Sequence, residues 1–354
     1  MTARATVVIV GFNSRPWLER GLPALLDSLG PDDGVVVVDN ASTDGTTDFL
    51  AERHPSVRAI AAPSNAGFGA GSNLGARAAD SEFLVFLNPD TEVERGWLEP
   101  LLDALAADEV ALATSQIVLM DDPNRLNALG NRVHYCGLAL CNGLGRPVGE
   151  RAEILDAGGE VAAVSGAAFA VRREVFDALG GFDEEYFLYV EDTDLSLRAR
   201  LAGHRIVCAT ASVVRHDYRL RVGPDKIFLQ ERNRYRTLLK TYRAGTLVLL
   251  APALLLTEIV GWAFVALRDR GNAANKLRAY ASVARDYSSW SRARRRTQAS
   301  RRIADHELLA ALDAGVDYAQ VERSAATAVA GAVVNPLFVA WKFVVAALLR
   351  ALGV

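Results

Sequence analysis

Short apolar runs alternate with longer amphipathic segments over the first 216 residues of the chain. The short runs have the length and β-branched content of buried strands, whereas the longer segments have helical spacing. The predicted strands are residues 6–10, 35–38, 57–61 and 83–87. The predicted helices are residues 16–29, 46–54, 69–79 and 94–106. Strands that alternate with helices predict βαβ units, and therefore an α/β fold with a mostly parallel sheet.

The alternating pattern weakens in the middle of the chain and then returns. Residues 121–160 contain scattered Gly and Pro residues, which predict a loop-rich insertion. Residues 161–171 have the pattern of a strand, and residues 191–201 have the pattern of a helix. We predict that this first domain comprises residues 1–217.

The sequence becomes more apolar and more basic beyond residue 217. Residues 228–243 predict a basic helix, within a linking segment of residues 218–245. The last part, residues 246–354, contains two apolar stretches, residues 246–267 and 325–349. Between them, residues 268–302 contain eleven Lys and Arg residues against two Asp residues.

The first of these apolar stretches is long enough to cross a bilayer, which needs about 20 apolar residues. Basic clusters on both of its sides oppose a single crossing, because basic loops stay on the cytoplasmic side. We therefore expect a segment that lies on or dips into the inner leaflet, with Pro252 as the break of a re-entrant hairpin. A pair of buried core helices and a true span are the alternatives.

The overall composition narrows the class of protein. Hydrophobic residues make up 51% of the 354 residues, which excludes a disordered chain, and the net charge of −3 argues against nucleic acid as a partner.

Three cysteines without metal-ligand spacing predict ordinary thiols. The apolar run at residues 7–10 is too short for a signal core, so we expect the N-terminal half to fold in the cytosol.

Polar residues follow the predicted strands, where ligands gather in parallel α/β sheets. Asp39 follows the second strand and can accept a hydrogen bond from the imide of uracil or thymine, or it can form an Asx turn. Asp44 can contribute to the same site or cap the next helix. Asn88 and Asp90 follow the fourth strand, where a carboxylate can hold a hard divalent cation, or can form an ordinary turn.

Three further segments complete the candidate chemistry. Residues 65–73 form a Gly-rich stretch that runs into a helix, and such a start favours negative charge. Glu191 and Asp192 stand at a predicted helix start, where a carboxylate can act as a general base or merely stabilise the helix dipole. His216 follows a strand-like run and is either a ligand or a packed surface residue.

Taken in order, these segments resemble the catalytic domain of family 2 glycosyltransferases, in particular the rhamnosyltransferase-like members. The resemblance covers roughly residues 4–240 and implies a GT-A fold, which is Rossmann-like with flanking helices, followed here by a C-terminal helical membrane-associated segment. The stretches that carry it are residues 7–13, 36–46, 65–75, 83–92, 165–173, 180–197 and 213–216.

The resemblance implies a role for each matching residue. Asp90 and His216 would bind Mg²⁺ or Mn²⁺, and Asp192 would be the catalytic base with Glu191 in support. Gly166 and Ala167 would line the acceptor side. The residues expected to bind the nucleotide, with Asp39 on the base, are Phe12, Asn13, Asp39, Asn40, Asn65, Gly69, Asn73 and Asn88.

The implied activity is an inverting sugar transfer from a nucleoside diphosphate to a glycan or polyprenyl-linked acceptor at the cytoplasmic face of the cell membrane. dTDP-L-rhamnose is the first choice of donor, and UDP-linked N-acetylglucosamine, hexose or galactofuranose is the alternative. Asn88 replaces the first Asp of the family's metal motif, which leaves one carboxylate fewer. A nucleotidyltransferase and an inactive membrane-attached binding protein are remote alternatives.

Overall fold

The computed structural model describes residues 3–218, 224–320 and 324–354. They form two compact units, each described by itself below. The first unit contains the described residues of Met1–Asn131, Cys141–Ala199 and His204–Arg219. The second contains those of Arg132–Leu140, Arg200–Gly203 and Leu220–Val354.

Strands and helices are numbered here in chain order. The strands are β1 (Ala3–Gly11), β2 (Asp33–Asp39), β3 (Arg58–Ala61), β4 (Ser81–Leu87), β5 (Thr91–Val93), β6 (Val110–Leu119), β7 (Leu126–Leu129), β8 (Asn131–Val133), β9 (Ala139–Cys141), β10 (Ala168–Arg172) and β11 (Arg205–His216). The helices are α1 (Arg15–Ser28), α2 (Thr46–Arg53), α3 (Gly67–Ala78), α4 (Leu98–Ala104), α5 (Arg151–Ile154), α6 (Arg173–Leu179), α7 (Glu191–Leu201), α8 (Pro224–Thr241), α9 (Ala244–Arg268), α10 (Ala273–Arg285), α11 (Tyr287–Ala299), α12 (Asp305–Ala310) and α13 (Ala325–Leu352).

One mixed sheet forms the frame of the first unit. Its strand order is β3-β2-β1-β4-β10-β6-β11-β5, and β7 pairs with β6 outside this path. The pairs among β3, β2, β1 and β4 are parallel, as is the β6–β11 pair. β10 runs antiparallel to both of its neighbours, and β5 and β7 also pair antiparallel. The parallel half was predicted from the sequence, but the sheet as a whole is mixed rather than mostly parallel.

Alternating side chains of the central strands pack into two separate cores, one on each face of the sheet. Val7 and Ile9 of β1 join the core formed with α1 and α4, whereas Val8 and Val10 join the core formed with α3, α6 and α7. A strand that is buried on both faces carries a continuous apolar run, which explains the sequence of residues 6–10.

Glycines bring α3 unusually close to β1. A Cβ atom on Gly71 would lie 2.5 Å from Val10 Cγ1, and one on Gly75 would lie 2.4 Å from Val8 Cγ1. The repeated glycines of this segment therefore allow close packing of helix against sheet, in addition to any role near a ligand.

Three predicted elements differ from the structure. The helix expected at residues 94–106 begins only at Leu98, because Glu94 still donates to the carbonyl of Val213 at the end of strand β5 and a turn follows. The strand expected at residues 161–171 is confined to Ala168–Arg172, and the preceding residues make only isolated bridges. The segment at residues 121–160 is not only loop, since it contains β7, β8, β9 and α5.

The described residues of the second unit are mainly helical and include two long apolar helices. Helices α10 and α11 both pack against α8. By length and composition alone, α9 and residues Thr327–Leu352 of α13 could cross a membrane. α9 continues through Pro252 without a break, so the predicted re-entrant hairpin at this proline is wrong. The three cysteines are free thiols, as predicted.

We expect Gly75→Ala to lower the free energy of unfolding of the first unit by about 1–3 kcal/mol, because the new methyl group overlaps Val8. Urea denaturation would measure the loss. Gly149→Ala is the matched control, since a Cβ atom there meets nothing within 4 Å. Equal stability of the two variants would contradict the close packing of α3.

Candidate active site

An open cleft lies at the carboxyl ends of the parallel strands of the first unit. Its cavity volume is about 320 Å³, which lies within the usual range for a small-molecule site. Four aromatic side chains line it, and they offer flat apolar surface to a planar ligand. They are Phe12, Trp17, Phe68 and Phe187. The polar residues of the lining include Asn40, Asn65, Asn88 and Asp90.

Asn40 lines this cleft and has a buried amide oxygen. Its Nδ2 donates to the carbonyl of Gly67 at 3.0 Å. Its Oδ1 is buried and has no hydrogen-bond partner among the described residues. A buried acceptor without a partner costs about 1–3 kcal/mol, so a ligand that donates a hydrogen bond here would recover that free energy.

Asp39 holds the turn that follows β2. Its Oδ1 accepts from the backbone N–H of Ser42 at 3.0 Å, and its Oδ2 accepts from the Thr47 hydroxyl at 2.6 Å. Asp39 therefore supports the turn with its side chain, which was the alternative to binding a base. A carboxylate has further lone pairs, so the predicted contact between Asp39 and a base stays a prediction. Asp39 is not among the residues that line the cleft.

Asn13 and Asp44 connect this turn to the end of β1. Asn13 has a left-handed backbone with φ of +53°, and its Oδ1 accepts from the N–H of Thr43 at 2.9 Å. Asp44 accepts from the N–H of Arg15 at 2.9 Å and from the Thr46 hydroxyl at 2.6 Å. Desolvation raises the pKa of Asp44, but the hydrogen bonds from Thr46 and Arg15 outweigh it and the net shift is downward. Asp44 therefore stabilises the starts of helices α1 and α2.

The Gly-rich stretch contributes only its first residues to the cleft. Asn65 accepts from the N–H of Gly67 at 3.0 Å, and both residues line the cleft. Gly69 instead packs on Phe182, and Asn73 is buried with its amide bonded to the backbone of Phe182. The structure therefore does not bring Gly69 and Asn73 to the cleft, because their packing roles turn them inward.

Asp90 lines the cleft, and His216 lies beside Asp90 without being part of the lining. His216 Nε2 is 3.4 Å from Asp90 Oδ1. On its other side, His216 Nδ1 lies 2.8 Å from Oδ1 of Asn127, which is buried on β7. An amide oxygen at Nδ1 favours the tautomer that carries its proton there. Nε2 then faces the Asp90 carboxylate.

Two electron-pair donors at this separation fit a divalent cation. Mg²⁺ and related hard cations use one or two protein ligands together with waters and substrate phosphates. Among the described residues no group of three His, Cys, Asp or Glu side chains could hold a metal ion. The Asp90–His216 pair therefore fits a cation that shares its ligands with a bound diphosphate, rather than a closed structural site.

Backbone hydrogen bonds connect Asp192 to the same edge of the sheet. Asp192 Oδ2 accepts from the N–H of Gly166 at 2.9 Å and from Nδ2 of Asn131 at 3.2 Å. The next residue, Ala167, accepts from the N–H of Asn88 at 2.9 Å. The segment of Gly166 and Ala167 thus connects Asp192 to the turn that carries Asn88 and Asp90, although Asp192 is not among the residues that line the cleft.

Burial sets the protonation of the two adjacent carboxyl groups at the start of α7. Burial and the neighbouring Asp192 raise the pKa of Glu191 to about 8, and Glu191 Oε2 has no partner among the described residues. Burial also raises the pKa of Asp192, although the N–H groups of Gly166 and Thr193 oppose this shift. Burial therefore favours the protonated form of Glu191, whereas the hydrogen bonds that Asp192 accepts favour the charged form of Asp192.

The segment before α7 is strained. Phe187, Tyr189 and Val190 all have positive φ angles, of +63°, +68° and +71°. Each such residue costs about 1–3 kcal/mol. Phe187 lines the cleft, and its carbonyl would lie 2.1 Å from a Cβ atom on Gly67, whose φ is +87°. Only glycine fits at position 67, and the strained segment is packed against it.

Sequence reasoning missed two residues of this site. Asn127 contacts His216 from a short strand that was taken as part of a loop, and Asn131 contacts Asp192 from the next segment. Neither residue stands after a predicted strand, so no local signal pointed to them.

Comparison with a family model and with a curated relative identifies the same family. Residues 6–180 match the model of the family "Glycosyl transferase family 2". The chain is 30% identical over 248 residues to the N-acetylglucosaminyl-diphospho-decaprenol L-rhamnosyltransferase of Mycobacterium tuberculosis. This match covers 64% of the chain and 80% of that relative.

Two solved structures share the fold. A mannosyltransferase from Pyrobaculum calidifontis, in complex with GDP-Man and Mn²⁺, has a TM-score of 0.50 and 19% identity, and the match covers 99% of this chain and 86% of that one. GalNAc-T7, solved with UDP, GalNAc and Mn²⁺, has a TM-score of 0.54 and 17% identity. That match covers 68% of this chain and 48% of GalNAc-T7. At these identities the likeness shows the fold alone, and it confirms the predicted GT-A class.

We expect Glu191→Gln to stabilise the chain increasingly as the pH rises. The folded pKa of about 8 exceeds the ordinary value of 4.5, so the stability that the Glu191 proton contributes is present below pH 4.5 and is lost as the pH approaches 8. Glutamine stays neutral throughout. The difference in Tm between variant and wild type should therefore grow from pH 5 to pH 8.

The matched control is Glu174→Gln on α6, where the glutamate is exposed. It should leave the pH dependence of Tm unchanged. A Glu191→Gln difference that stays constant over this pH range would show that Glu191 is not buried as a neutral acid.

Proposed function

Because this chain belongs to glycosyl transferase family 2, we propose that it transfers L-rhamnose from dTDP-L-rhamnose to a polyprenyl-linked glycan of the cell envelope. The observation that carries this proposal is the Asp192 carboxylate, which accepts a hydrogen bond from Gly166, while the adjacent Ala167 bonds to the turn of Asn88 and Asp90. The similarity to an L-rhamnosyltransferase whose name specifies a diphospho-decaprenol acceptor supports this donor and this acceptor class.

A second donor class has its own support. GalNAc-T7 was solved with UDP, and uracil and thymine offer the same imide to an acceptor group on the protein. The unpartnered Oδ1 of Asn40 and the carboxylate of Asp39 are both candidates for that contact. UDP-linked N-acetylglucosamine, hexose or galactofuranose is therefore the alternative donor.

The diphosphate would lie at Asp90 and His216. Both structures described above contain Mn²⁺, which supports a divalent cation, Mg²⁺ or Mn²⁺, at this pair. When bound, that cation supplies positive charge to the leaving diphosphate. Asn127 fixes the ring of His216 so that Nε2 and the Asp90 carboxylate face each other.

The transfer needs no covalent enzyme intermediate. The acceptor hydroxyl oxygen forms a bond to the anomeric carbon while the bond from that carbon to the diphosphate oxygen breaks. The electron pair of the broken bond leaves with the nucleoside diphosphate, and the hydroxyl proton moves to Asp192. The anomeric centre is inverted. The N–H groups of Gly166 and Thr193 favour the charged form of Asp192, so that Asp192 can accept the proton.

A lipid-linked acceptor would place the enzyme at the cytoplasmic face of the membrane, where nucleotide sugars are available. The two apolar helices of the second unit support a location at a membrane. Nucleic acid is not an expected partner at a net charge of −3.

We expect Asp192→Asn to reduce sugar transfer by about 10²- to 10⁴-fold while donor binding persists, because only the proton acceptor is lost. Transfer would be measured by mass spectrometry on a synthetic polyprenyl-diphosphate-linked N-acetylglucosamine, with dTDP-L-rhamnose, UDP-N-acetylglucosamine or UDP-galactose as donor. Saturation-transfer NMR would measure donor binding separately.

The control Asp177→Asn, at an exposed position on α6, should transfer normally. Near-normal transfer by Asp192→Asn would show that Asp192 is not the catalytic base. Addition of a hexose or an N-acetylhexosamine instead of a deoxyhexose would keep the mechanism but replace rhamnose by the alternative donor.

We expect Asn127→Ala to weaken Mn²⁺ binding about 10- to 100-fold in the presence of nucleoside diphosphate, because the His216 ring loses its orienting contact. Electron paramagnetic resonance of free Mn²⁺ would measure the affinity without any turnover. Asn124→Ala, on the exposed turn before β7, is the matched control. Unchanged affinity in a folded Asn127→Ala variant would contradict this role of Asn127.

A further inference from the structure

Helix α9 of the second unit exposes a face without polar side chains. Val248 is 73% exposed, Leu255 is 62% exposed and Ile259 is 58% exposed. Their spacings of seven and four residues place them on one side of the helix. Soluble amphipathic helices show the opposite arrangement, with the apolar stripe toward the core.

Helix α13 has the same inverted arrangement. Val329 and Val333 are each 61% exposed, Leu337 is 55% exposed and Phe343 is 77% exposed. The two helices touch, since Trp341 Nε1 donates to the carbonyl of Leu249 at 3.0 Å. We call the exposed apolar side chains of α9 and α13 together the apolar face.

Polar side chains in the interior of both helices turn inward, unlike Arg268 and Arg350 at the helix ends. Glu258, the acidic residue of α9, pairs with Arg234 of α8 and with Lys276 of α10. On α13, Asn335 exchanges two hydrogen bonds with the backbone of Val316 at 3.0 and 3.1 Å. Lys342 donates to the carbonyl of Leu312. The protein therefore satisfies these polar groups on its own side and leaves apolar side chains outside.

These inward contacts oppose a membrane-crossing α13. From Asn335 to its end at Leu352, α13 runs roughly 26 Å, close to the hydrocarbon thickness of about 30 Å. Polar chain segments follow it over this distance, ending with Nδ1 of His306 at 3.0 Å from the carbonyl of Val354. Asp313, within the segment beside Asn335 and Lys342, forms an ion pair with Arg132 at 2.9 Å. A crossing would carry this ion pair into hydrocarbon.

Helix α9 is held in the same way. Near its start, the Thr246 hydroxyl donates to Asp305, which also pairs with Arg301 at 2.6 Å. Glu258 follows 12 residues later, which is roughly 18 Å along the helix. Every segment of α9 that is long enough to cross the hydrocarbon core therefore contains a residue bonded to a charged side chain.

Exposed arginines stand at the ends of the apolar face. Arg243 precedes α9, Arg268 ends it, and Arg350 lies in the last turn of α13. Cations around an apolar surface match an anionic lipid headgroup layer, in which each contributes on the order of 1 kcal/mol. An apolar surface on a partner protein would not require arginines around the contact.

We propose that the apolar face is a membrane-docking surface, and that α9 and α13 lie flat in one leaflet of an anionic bilayer without crossing it. The exposed side chains enter the acyl region, and the arginines contact the headgroups. The proposal depends on the second unit alone and not on sugar transfer, so its tests need neither donor nor acceptor.

The first test is vesicle flotation of the full chain with phosphatidylcholine mixed with phosphatidylglycerol. We expect Leu337→Asn combined with Phe343→Asn to reduce the bound fraction by about tenfold or more, because two inserted side chains become polar. The matched control is Leu277→Asn, an exposed leucine of α10 outside the apolar face, which should bind like wild type. Tm measurements confirm that the variants are folded.

The second test measures depth in the bilayer. Nitroxide labels at Val333→Cys and at Leu352→Cys, in a Cys141→Ser background, would be compared by their accessibility to oxygen and to a water-soluble nickel complex. Cys136 and Cys208 are buried and stay unlabelled. Helices that lie flat give both labels a similar shallow depth.

A steep change of depth between the two labels would establish a crossing helix and overturn the proposal. Wild type that fails to float, or that forms a dimer lost in the Leu337 and Phe343 variant, would also overturn it, because a second copy would then cover the face. Equal flotation of that variant and wild type would show that the apolar face is not the site of membrane contact.

Discussion

The antiparallel insertion of β10 between β4 and β6 is the constraint on which the arrangement of the candidate site depends. Its pairing with β4 continues as the hydrogen bond from Asn88 to Ala167, which places Gly166 beside the turn that carries Asp90. The N–H of Gly166 then holds the Asp192 carboxylate. The segment around Gly166 thus connects two turns that carry acidic residues far apart in the sequence, through one hydrogen bond to backbone and one to a side chain.

The sequence predicted much of the first unit because its signals are local. The runs at residues 35–38 and 83–87 are short, apolar and bounded by turn residues, and both are buried strands. Asp90 and His216 were predicted as partners from a family resemblance, and the structure places them 3.4 Å apart. Their roles, and those of the other site residues, remain predictions until they are measured.

The remaining features depend on contacts that sequence patterns do not carry. Asn127 lies 89 residues before His216, and the two meet only because β7 pairs with β6, which pairs with β11. Gly69 and Asn73 stand in a Gly-rich segment that suits a ligand loop and tight helix packing equally well, and tertiary packing decides between them. Pro252 predicted a break, but losing one helical hydrogen bond does not end a helix whose other contacts persist.

The left-handed backbone at Phe187, Tyr189 and Val190 has a consequence for protein engineering. Valine is among the residues least suited to this conformation, and glycine would adopt it without strain. A redesign that ranks substitutions by thermostability alone would therefore select this segment early. Glycine would also make this segment more flexible. Because the segment fixes the first turn of α7, the direction of the Asp192 side chain would then be less well defined. Thermostability and the geometry of the carboxylate are opposing design objectives at this one place in the chain.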